Sequence, residues 1–388
     1  MTTLTASPAE VVVVGAGAAG SATAYHLARL GRGVVLLDQA SAFPRPKPCG
    51  GGMAASMQAL FPFDLSPVVD SVINQVRFTW CLADPVTAEL PGDAPFWIVR
   101  RSRLDAFLME QARSAGARFE PGVAVQSLQR CGDHWQLQAM GPKGVNLELQ
   151  AKVVVIADGS GSQLAARHGI GPARPRFAET VSVEVDAEVD EPGTAHFEFG
   201  LMHHGFCWAF PRHGGFSIGM GTFIGREPAD ANQVLAKLLP SLGLAADAGE
   251  RRAGQLRIWD GHHPLHGRGE NSGLVAVGDA ASLCDPFLAE GIRPALISGC
   301  RAAGGIDAWL AGNGTALSDY SDAMRTEWGE SMAWGKRIAQ LFYRVPRVGY
   351  QLGVKRPTAP QRIAQILSGE MGYGDIAQRV IRRLLFQG

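Results

Sequence analysis

The chain has 388 residues, of which 46% are hydrophobic and 19% charged, a composition typical of a globular protein of two or three domains. Its 36 Lys and Arg balance 36 Asp and Glu, which excludes a net field that would draw nucleic acid, and no apolar run is long enough to span a membrane. Six cysteines show neither a CxxC pair nor Cys/His ligand spacing, which excludes a structural zinc site and indicates reduced thiols. The start lacks a basic leader. We therefore expect a cytoplasmic protein, at most peripheral to a membrane.

The first predicted unit is a strand, a glycine-rich turn, a helix and a second strand. Residues Val11–Val14 form a buried strand, a helix follows from about Ala18 to Leu30, and the second strand ends at Asp38. The turn carries three glycines with GxGxxG spacing, Gly15, Gly17 and Gly20. This arrangement predicts a dinucleotide whose pyrophosphate faces the helix N-terminus and whose ribose contacts Asp38, the alternative being an ordinary βαβ unit. The stretch alone does not distinguish NAD from FAD.

A loop rich in proline and glycine, residues 42–53, follows the second strand. Arg45 and Lys47 supply positive charge, and Gly50 and Gly51 permit unusual backbone angles or close approach to a flat ligand. We interpret the loop as a cofactor wall, with a plain surface loop as the alternative. Cys49 within it is either an inert residue or a reactive thiol.

The middle of the chain alternates strands and short helices. Two β-rich stretches lie between residues 72 and 99, and a helix is predicted over 99–116 with Arg101 near its start, able to reach a phosphate or remain solvated. A later strand could offer the backbone of Val125 to an adenine. The buried strand Val153–Ala157 then runs into Asp158 and glycines, a position where α/β sheets bind ligands.

Residues 177–224 are dominated by strand-like alternation and predict a β-sheet domain. Phe206, Trp208 and Phe210 recur at period two and therefore share one face of a strand. That face is either an ordinary hydrophobic surface or a wall that contacts a ligand.

The last motif that we predict to contact the cofactor spans residues 274–303. A strand over 274–277 delivers Gly278 and Asp279, Pro286 interrupts the chain, and Gly291 precedes a long helix of small residues. Amides at such a helix start can stabilise negative charge on a ring edge. From residue 336 to 388 the chain is basic, with ten Lys or Arg against two acids, and its final helix suits either a membrane surface or docking on the core.

The order of three motifs carries a resemblance to a known group. GAGAAG at residues 15–20, ADGSGS at 157–162 and AVGDAA at 276–281 resemble those of FAD-dependent hydroxylase-like flavoproteins. Within that group the chain most resembles the geranylgeranyl reductase family, through residues 45–51, through 205–211, which is similar to Tyr-x-Trp-x-Phe-Pro, and through 285–292. The likeness covers residues 9–310. Phe206 stands where the family has a tyrosine, so a phenol hydrogen bond is absent.

The resemblance implies an α/β fold with a discontinuous FAD-binding Rossmann-like domain of the glutathione-reductase type (residues 1–75, 96–172 and 263–310). An inserted antiparallel β-sheet substrate domain (76–95 and 173–262) and a helical C-terminal region (311–388) complete it. The residues expected to contact FAD are Gly15, Gly17, Ala18, Ala19, Gly20, Asp38, Arg45, Lys47, Gly50, Gly51, Arg101, Val125, Asp158, Gly278, Asp279, Pro286, Gly291 and Ile292. Those expected near the substrate are Cys49, Phe206, Trp208 and Phe210.

The implied activity is reduction of isolated C=C bonds in a geranylgeranyl chain carried on a diphosphate, a chlorophyll precursor or another lipid. Trp208 would stabilise developing positive charge, and Cys49 would donate a proton or shape the site. With a single GxGxxG, electrons would come from transiently docked NADPH or from reduced ferredoxin. The alternatives are a class A monooxygenase and, outside enzymes, a prenyl-group carrier, against which the intact nucleotide signature argues.

Overall fold

The computed structural model describes residues 4–5, 9–92, 95–223, 230–356 and 358–386, with the backbone alone for 4–5 and 380–386. Within these ranges the chain forms two large sheets, one small sheet and a set of helices. Along the described ranges, none of the helices combines the length and hydrophobicity needed to cross a bilayer.

The strands follow one another along the described chain as β1 (Leu4–Thr5), β2 (Ala9–Val14), β3 (Val34–Asp38), β4 (Gly52–Ala54), β5 (Val69–Ile73), β6 (Gln75–Trp80), β7 (Ala83–Glu89), β8 (Phe96–Val99), β9 (Arg118–Pro121), β10 (Ala124–Cys131), β11 (His134–Met140), β12 (Asn146–Ile156), β13 (Arg176–Asp186), β14 (Thr194–Phe199), β15 (Gly205–Arg212), β16 (Gly215–Thr222), β17 (Arg252–Ile258) and β18 (Leu274–Ala276). The helices are α1 (Ala18–Arg29), α2 (Arg101–Ser114), α3 (Leu164–Arg167), α4 (Ala231–Ser241), α5 (Ile292–Leu310), α6 (Ala316–Met324), α7 (Glu330–Arg344), α8 (Pro346–Gly353), α9 (Ala359–Ser368) and α10 (Tyr373–Phe386).

The first large sheet is the nucleotide-binding one predicted from the glycine signature. Strands β9, β3, β2, β12 and β18 are parallel neighbours, and β10 and β11 extend the sheet as an antiparallel pair beside β12. The four valines of β2 are almost fully buried, as expected for a central strand of a parallel sheet whose two faces are both covered. Helices α1 and α5 pack on each other, and Gly299 permits this because a Cβ there would lie 2.6 Å from the carbonyl oxygen of Ala19.

The second large sheet has the order β17-β13-β16-β15-β14-β6-β7 and is antiparallel except between β14 and β6. Its two faces belong to separate hydrophobic clusters. Cys207 and Ala209 pack with Leu235 and Leu238 of α4, whereas the alternating aromatic residues of β15 join the main core. Period-two alternation therefore separates a helix-covered face from an aromatic face.

The observed architecture is the predicted α/β fold, in which an FAD-type sheet, an antiparallel sheet and C-terminal helices follow the expected order. The β-rich stretch between residues 72 and 99 differs in detail. It supplies four strands to two different sheets, since β5 and β8 pair with β4 while β6 and β7 enter the antiparallel sheet. The domain limits given above stay a prediction.

Candidate active site

A cleft lies between the carboxyl ends of the parallel strands and the aromatic face of the antiparallel sheet. Ala157 and Val277, which follow β12 and β18, form part of its floor, in the position where open α/β sheets bind ligands. The structure brings to this one cleft a large group of the predicted site residues: Gly17, Ala18, Ala19, Lys47, Cys49, Gly50, Gly51, Arg101, Phe206, Trp208, Phe210, Asp279, Gly291 and Ile292.

Two helix N-termini reach the cleft without side-chain caps. Helix α1 begins after Gly17 and α5 after Gly291, and neither has a capping side chain or an acid in its first turn. Their first backbone N–H groups therefore have no partner within the helix and favour negative charge. A pyrophosphate and the electron-rich edge of a ring are both anionic groups that such positions stabilise, so the backbone fits a flavin dinucleotide.

Gly15, Gly20 and Gly278 act behind the cleft surface, in the packing of the backbone. A Cβ on Gly20 would lie 1.8 Å from the carbonyl oxygen of Gly15, and one on Gly278 would lie 2.8 Å from the Cβ of Ala19. Gly15 itself has a φ of +107°, which side chains rarely adopt. These glycines set the tight turn and the approach of helix to sheet.

Asp38 is held by the glycine turn and by the loop that follows β3. Its Oδ2 accepts a hydrogen bond from the N–H of Ala16 at 2.8 Å and contacts the guanidinium of Arg45 at 3.2 Å, while Oδ1 accepts from the N–H of Ala40 at 2.8 Å. A carboxylate has about four acceptor positions, so capacity for a ribose hydroxyl remains. Arg45 also lies beside Gly17, on the phosphate side of the turn.

A cluster of charges lies where the loop, α2 and the end of β18 meet. Arg101 forms a 2.9 Å ion pair with Asp105, and both side chains are buried. The neighbouring charge of Arg101, followed by burial, lowers the pKa of Lys47, whereas burial raises the pKa of Asp279 against the charges of Lys47 and Arg101. Two cations in one cluster favour the binding of an anionic group, such as a phosphate, between them.

The proline- and glycine-rich loop is packed between the two large sheets. A Cβ on Gly50 would lie 3.0 Å from both the indole nitrogen of Trp208 and the ring of Phe210, and one on Gly52 would lie 2.5 Å from the ring of Phe96. Gly51 has a φ of +83°. The glycines therefore make room for the protein's own aromatic rings and backbone, beside any contact with a flat ligand. The Sγ of Cys49 accepts from the N–H of Gly51 at 3.3 Å.

The aromatic face of β15 forms the opposite wall of the cleft. Phe206, Trp208 and Phe210 all line it, together with Phe197 of β14, whose ring centroid is 5.1 Å from that of Phe210. The indole N–H of Trp208 is buried and has no hydrogen-bond partner among the described residues. Of the two open interpretations, the geometry favours a wall that contacts a ligand.

Glu290 is a cleft residue that the sequence reasoning did not assign. Its carboxylate contacts the guanidinium of Arg293 at 2.6 Å, and both side chains are over nine-tenths buried. Burial raises the pKa of Glu290 to about 7, opposed by Arg293. The sequence carried a signal for it: within the motif of residues 285–292, Glu290 is an acid three residues before an arginine.

Besides Asp38, Arg45 and the three glycines behind the surface, three further predicted cofactor residues do not line the cleft. Val125 lies in β10 at the outer edge of the first sheet, and Pro286 is buried in the core. Asp158 lies between Ala157 and Gly159, which do line the cleft, and burial raises its pKa. Their contacts with the cofactor stay predictions. The structure contains no cluster of three His, Cys, Asp or Glu residues able to hold a metal ion within the described ranges.

Comparison with known proteins identifies the chemistry for which this cleft is built. A family model described as FAD binding domain matches residues 8–322. The chain is also 30% identical over 339 residues to digeranylgeranylglycerophospholipid reductase 2 of Methanothermobacter thermautotrophicus, an alignment that covers 83% of this chain and 85% of that protein. The chain belongs to the geranylgeranyl reductase family. It is therefore an FAD-dependent oxidoreductase.

Other members and neighbours are consistent with this placement in the geranylgeranyl reductase family. The chain is 32% identical over 372 residues to the menaquinone reductase of Mycolicibacterium smegmatis, covering 87% of this chain and 85% of that one. A geranylgeranyl bacteriochlorophyll reductase-like protein from Thermoplasma acidophilum has the same fold, with a TM-score of 0.78 at 19% identity over 93% of this chain and 91% of that one. The predicted FAD cofactor and fold class are thus confirmed.

Proposed function

We propose that this geranylgeranyl reductase family member reduces isolated C=C bonds in a prenyl chain carried on a lipid. The observation that carries the proposal is one cleft with two unlike walls: uncapped helix N-termini on one side and a continuous aromatic face on the other. The first suits the anionic parts of FAD, and the second suits a greasy, uncharged chain. The names of the relatives support the same class of substrate.

FAD, when bound and reduced, supplies a hydride. An isolated alkene has no group that could take up negative charge, so it would accept the hydride only as a proton adds to its less substituted carbon, and positive charge then develops at the more branched carbon. The ring of Trp208 stabilises that charge by about 0.5–2 kcal/mol through cation–π attraction. Phe206 and Phe210 on either side of it exclude water and hold the chain against the cofactor.

The second carbon of the alkene must receive a proton, and two groups in the cleft are placed to deliver it. Cys49 lies in the loop beside Trp208, as donor or as a residue that shapes the site. Glu290 is buried and close to half-protonated at neutral pH, since its pKa is about 7. A general acid works best with a pKa near the operating pH, which favours Glu290.

The head group that we favour is a glycerophospholipid, because the relatives named digeranylgeranylglycerophospholipid reductases include the 30% identical protein. A diphosphate, a chlorophyll precursor and a quinone are the other carriers to be compared. The electron donor is proposed to be NADPH or reduced ferredoxin. Membrane contact through the basic C-terminal helix α10 stays a proposal, because side chains from residue 380 onward lie outside the described residues.

The decisive experiment is anaerobic incubation of the dithionite-reduced holoprotein with digeranylgeranylglycerophospholipid, geranylgeranyl diphosphate and a geranylgeranylated pigment, followed by mass spectrometry. We expect a gain of two mass units per saturated bond, fastest with the phospholipid. A gain of sixteen units in air, with oxygen consumed only when substrate is present, would instead establish a monooxygenase. Well-folded protein that takes up no flavin would leave the prenyl-carrier alternative.

A further inference from the structure

Helices α7 and α8 and the residue that joins them expose a group of large apolar side chains. Leu341 near the end of α7, Val345 at the non-helical junction, and Val348 and Leu352, four residues apart on α8, are 70%, 44%, 52% and 56% exposed. We call these four residues the α7–α8 patch. Single exposed apolar residues are ordinary, but a contiguous group marks an interaction surface.

The patch concentrates exposed hydrophobicity in one place. Eight large hydrophobic residues are exposed among those the structure describes, and half of them fall within these twelve positions. The other four are scattered along the chain at Leu30, Val72, Val145 and Phe177.

Positive charge surrounds the patch. From residue 331 to 369 the chain carries seven Lys or Arg and no Asp or Glu. Arg344 and Arg347, which alternate with the patch residues, are exposed and form no ion pair with any described residue, and Arg356 lies just beyond α8 in the same condition. Apolar side chains flanked by unpaired cations are the chemistry that binds an anionic lipid surface.

The inner face of the same two helices is fixed to the body of the protein. The hydroxyl of Tyr343 donates to the carbonyl oxygen of Phe287 at 2.8 Å, and the hydroxyl of Tyr350 donates to that of Asp84 at 2.7 Å. Both tyrosines are fully buried. The patch is therefore held in place and stays exposed in the folded protein.

A chain of aromatic contacts connects the patch to the cleft. The ring centroids of Phe206 and Phe223 are 5.0 Å apart, and those of Phe223 and Tyr343 are 5.8 Å apart. Tyr343 and Phe342 occupy the inner face of α7, directly behind Leu341 and Val345. Buried aromatic packing thus connects Phe206 in the wall of the cleft to the helix that carries the patch.

We propose that the α7–α8 patch, with Arg344 and Arg347, docks the protein on a bilayer that contains anionic lipid. The apolar side chains enter the interface between headgroups and acyl chains, and the arginines contact lipid phosphates. Docking by this surface goes beyond the proposed reaction. The docking itself does not depend on that reaction; only the idea that the substrate enters from the bilayer does.

The test is co-sedimentation of the holoprotein with vesicles of phosphatidylcholine alone or with one quarter phosphatidylglycerol, at low and high salt. We expect binding to the anionic vesicles that weakens with salt. Val348→Asp/Leu352→Asp should lower the partition coefficient at least about tenfold, because two apolar side chains no longer leave water. Arg344→Glu/Arg347→Glu should lower it about tenfold on anionic vesicles and little on neutral ones.

The control variant Leu30→Asp/Val145→Asp alters two exposed apolar residues elsewhere and should bind as the wild type does. Retained FAD absorbance shows that each variant is folded. The proposal fails if both patch variants bind normally, or if only reversal of Arg379, Arg382 and Arg383 in α10 abolishes binding. It also fails if ultracentrifugation shows a dimer that the Val348→Asp/Leu352→Asp variant dissociates, because the occupant would then be a second copy.

Vesicle binding requires no turnover, so the two proposals fail separately. Protein that saturates prenyl chains in detergent without binding vesicles contradicts docking alone. Protein that binds anionic vesicles through the patch but leaves every prenyl substrate unchanged contradicts the proposed reaction alone.

Discussion

The two walls of the cleft reach the same cavity by opposite means. On the nucleotide side, glycines at and behind the surface let backbone approach backbone: a Cβ on Gly20 or Gly51 would lie about 2 Å from a carbonyl oxygen. On the substrate side the surface is made of large rings on adjacent strands, as at Phe197 and Phe210. The absence of side chains at glycines shapes the nucleotide side, and large aromatic side chains shape the substrate side.

This difference determines how each wall tolerates change. Close backbone contacts cannot relax when a methyl group is added, because the atoms that must move belong to the main chain. Aromatic side chains can shift or be replaced by others of similar volume at modest cost. We therefore expect substitutions in the glycine wall to abolish folding or FAD binding, and substitutions in the aromatic wall to change turnover while FAD stays bound.

The largest effect is expected for Gly20→Ala. The new Cβ would lie 1.8 Å from the carbonyl oxygen of Gly15, so the turn must open, at a cost of about 3 kcal/mol or more. We expect loss of FAD absorbance and a lower melting temperature. The matched control is Gly304→Ala in α5, where a Cβ meets nothing within 4 Å and the helix should gain up to about 1 kcal/mol. Retention of FAD by the Gly20→Ala protein would contradict the expectation that the glycine side of the cleft does not tolerate an added methyl group.

The next largest effect is expected for Glu290→Gln, where the two walls meet. The buried carboxyl is protonated below its pKa of about 7, so wild-type turnover should fall as the pH rises through 7. Removal of this acid should lower kcat about 100-fold or more and abolish that limb of the pH profile, with FAD affinity unchanged. Glu327→Gln, at an exposed ion pair, is the control.

Variants of Cys49 test the alternative proton donor for the same reduction step. If its thiol is the proton source, Cys49→Ala will lower kcat about as far as is expected for Glu290→Gln, and Glu290→Gln will leave kcat nearly unchanged. If Cys49 only shapes the site, Cys49→Ala and Cys49→Ser will change which bonds are saturated while the pH profile is retained. An unaltered rate and product pattern in both variants would leave Cys49 without a role.

Asp38→Ala tests the nucleotide wall without adding any atom. It leaves the buried N–H of Ala16 without its acceptor and frees Arg45, and an unsatisfied buried donor costs about 1–3 kcal/mol. We expect FAD to bind about 10- to 100-fold more weakly, measured by titration of the apoprotein, with little change in kcat at saturating FAD. Asp133→Ala, an exposed acid, should behave as the wild type does. Equal FAD affinity in Asp38→Ala would remove this residue from the site.

Trp208→Leu should have the smallest effect on the reaction and on FAD. Loss of the indole ring removes about 0.5–2 kcal/mol of charge stabilisation, so kcat should fall about 2- to 30-fold while FAD binding changes little. Because Trp208 is buried, the smaller side chain should also lower the melting temperature. Phe177→Leu replaces an exposed ring on β13 of the same sheet and is the control. A fall in FAD affinity in Trp208→Leu that matches the fall in rate would show that the two walls are not separable.

Much of the nucleotide side could be predicted because its determinants are local in sequence. The strand, turn and helix of residues 11–30 lie where periodicity and glycine spacing put them, within one residue at the helix end. The helix after Arg100 was likewise predictable from its spacing, whereas the predicted strand Val153–Ala157 is only the second half of β12, which begins at Asn146. In each case the signal and the structure lie within about twenty residues of chain.

The partners of the proline- and glycine-rich loop could not be predicted. A side chain at Gly50 or Gly52 would collide with the rings of Trp208, Phe210 and Phe96, and those rings come from distant strands. The same applies to Glu290, whose pKa depends on burial beside Arg293 and on the elements that cover both. Burial is a property of the assembled core and leaves little trace in the local pattern.

By itself the sequence determined the α/β class, the dinucleotide turn, the shared face of Phe206, Trp208 and Phe210, and the family. Those features rest on backbone angles, on periodicity and on contiguous motifs, which neighbouring residues dictate. Only the tertiary structure decided that Gly50 packs against the rings of Trp208 and Phe210, that Glu290 is a buried acid in the cleft, and that four exposed apolar residues cluster between Leu341 and Leu352. These depend on which surfaces of distant elements cover each other when the chain folds.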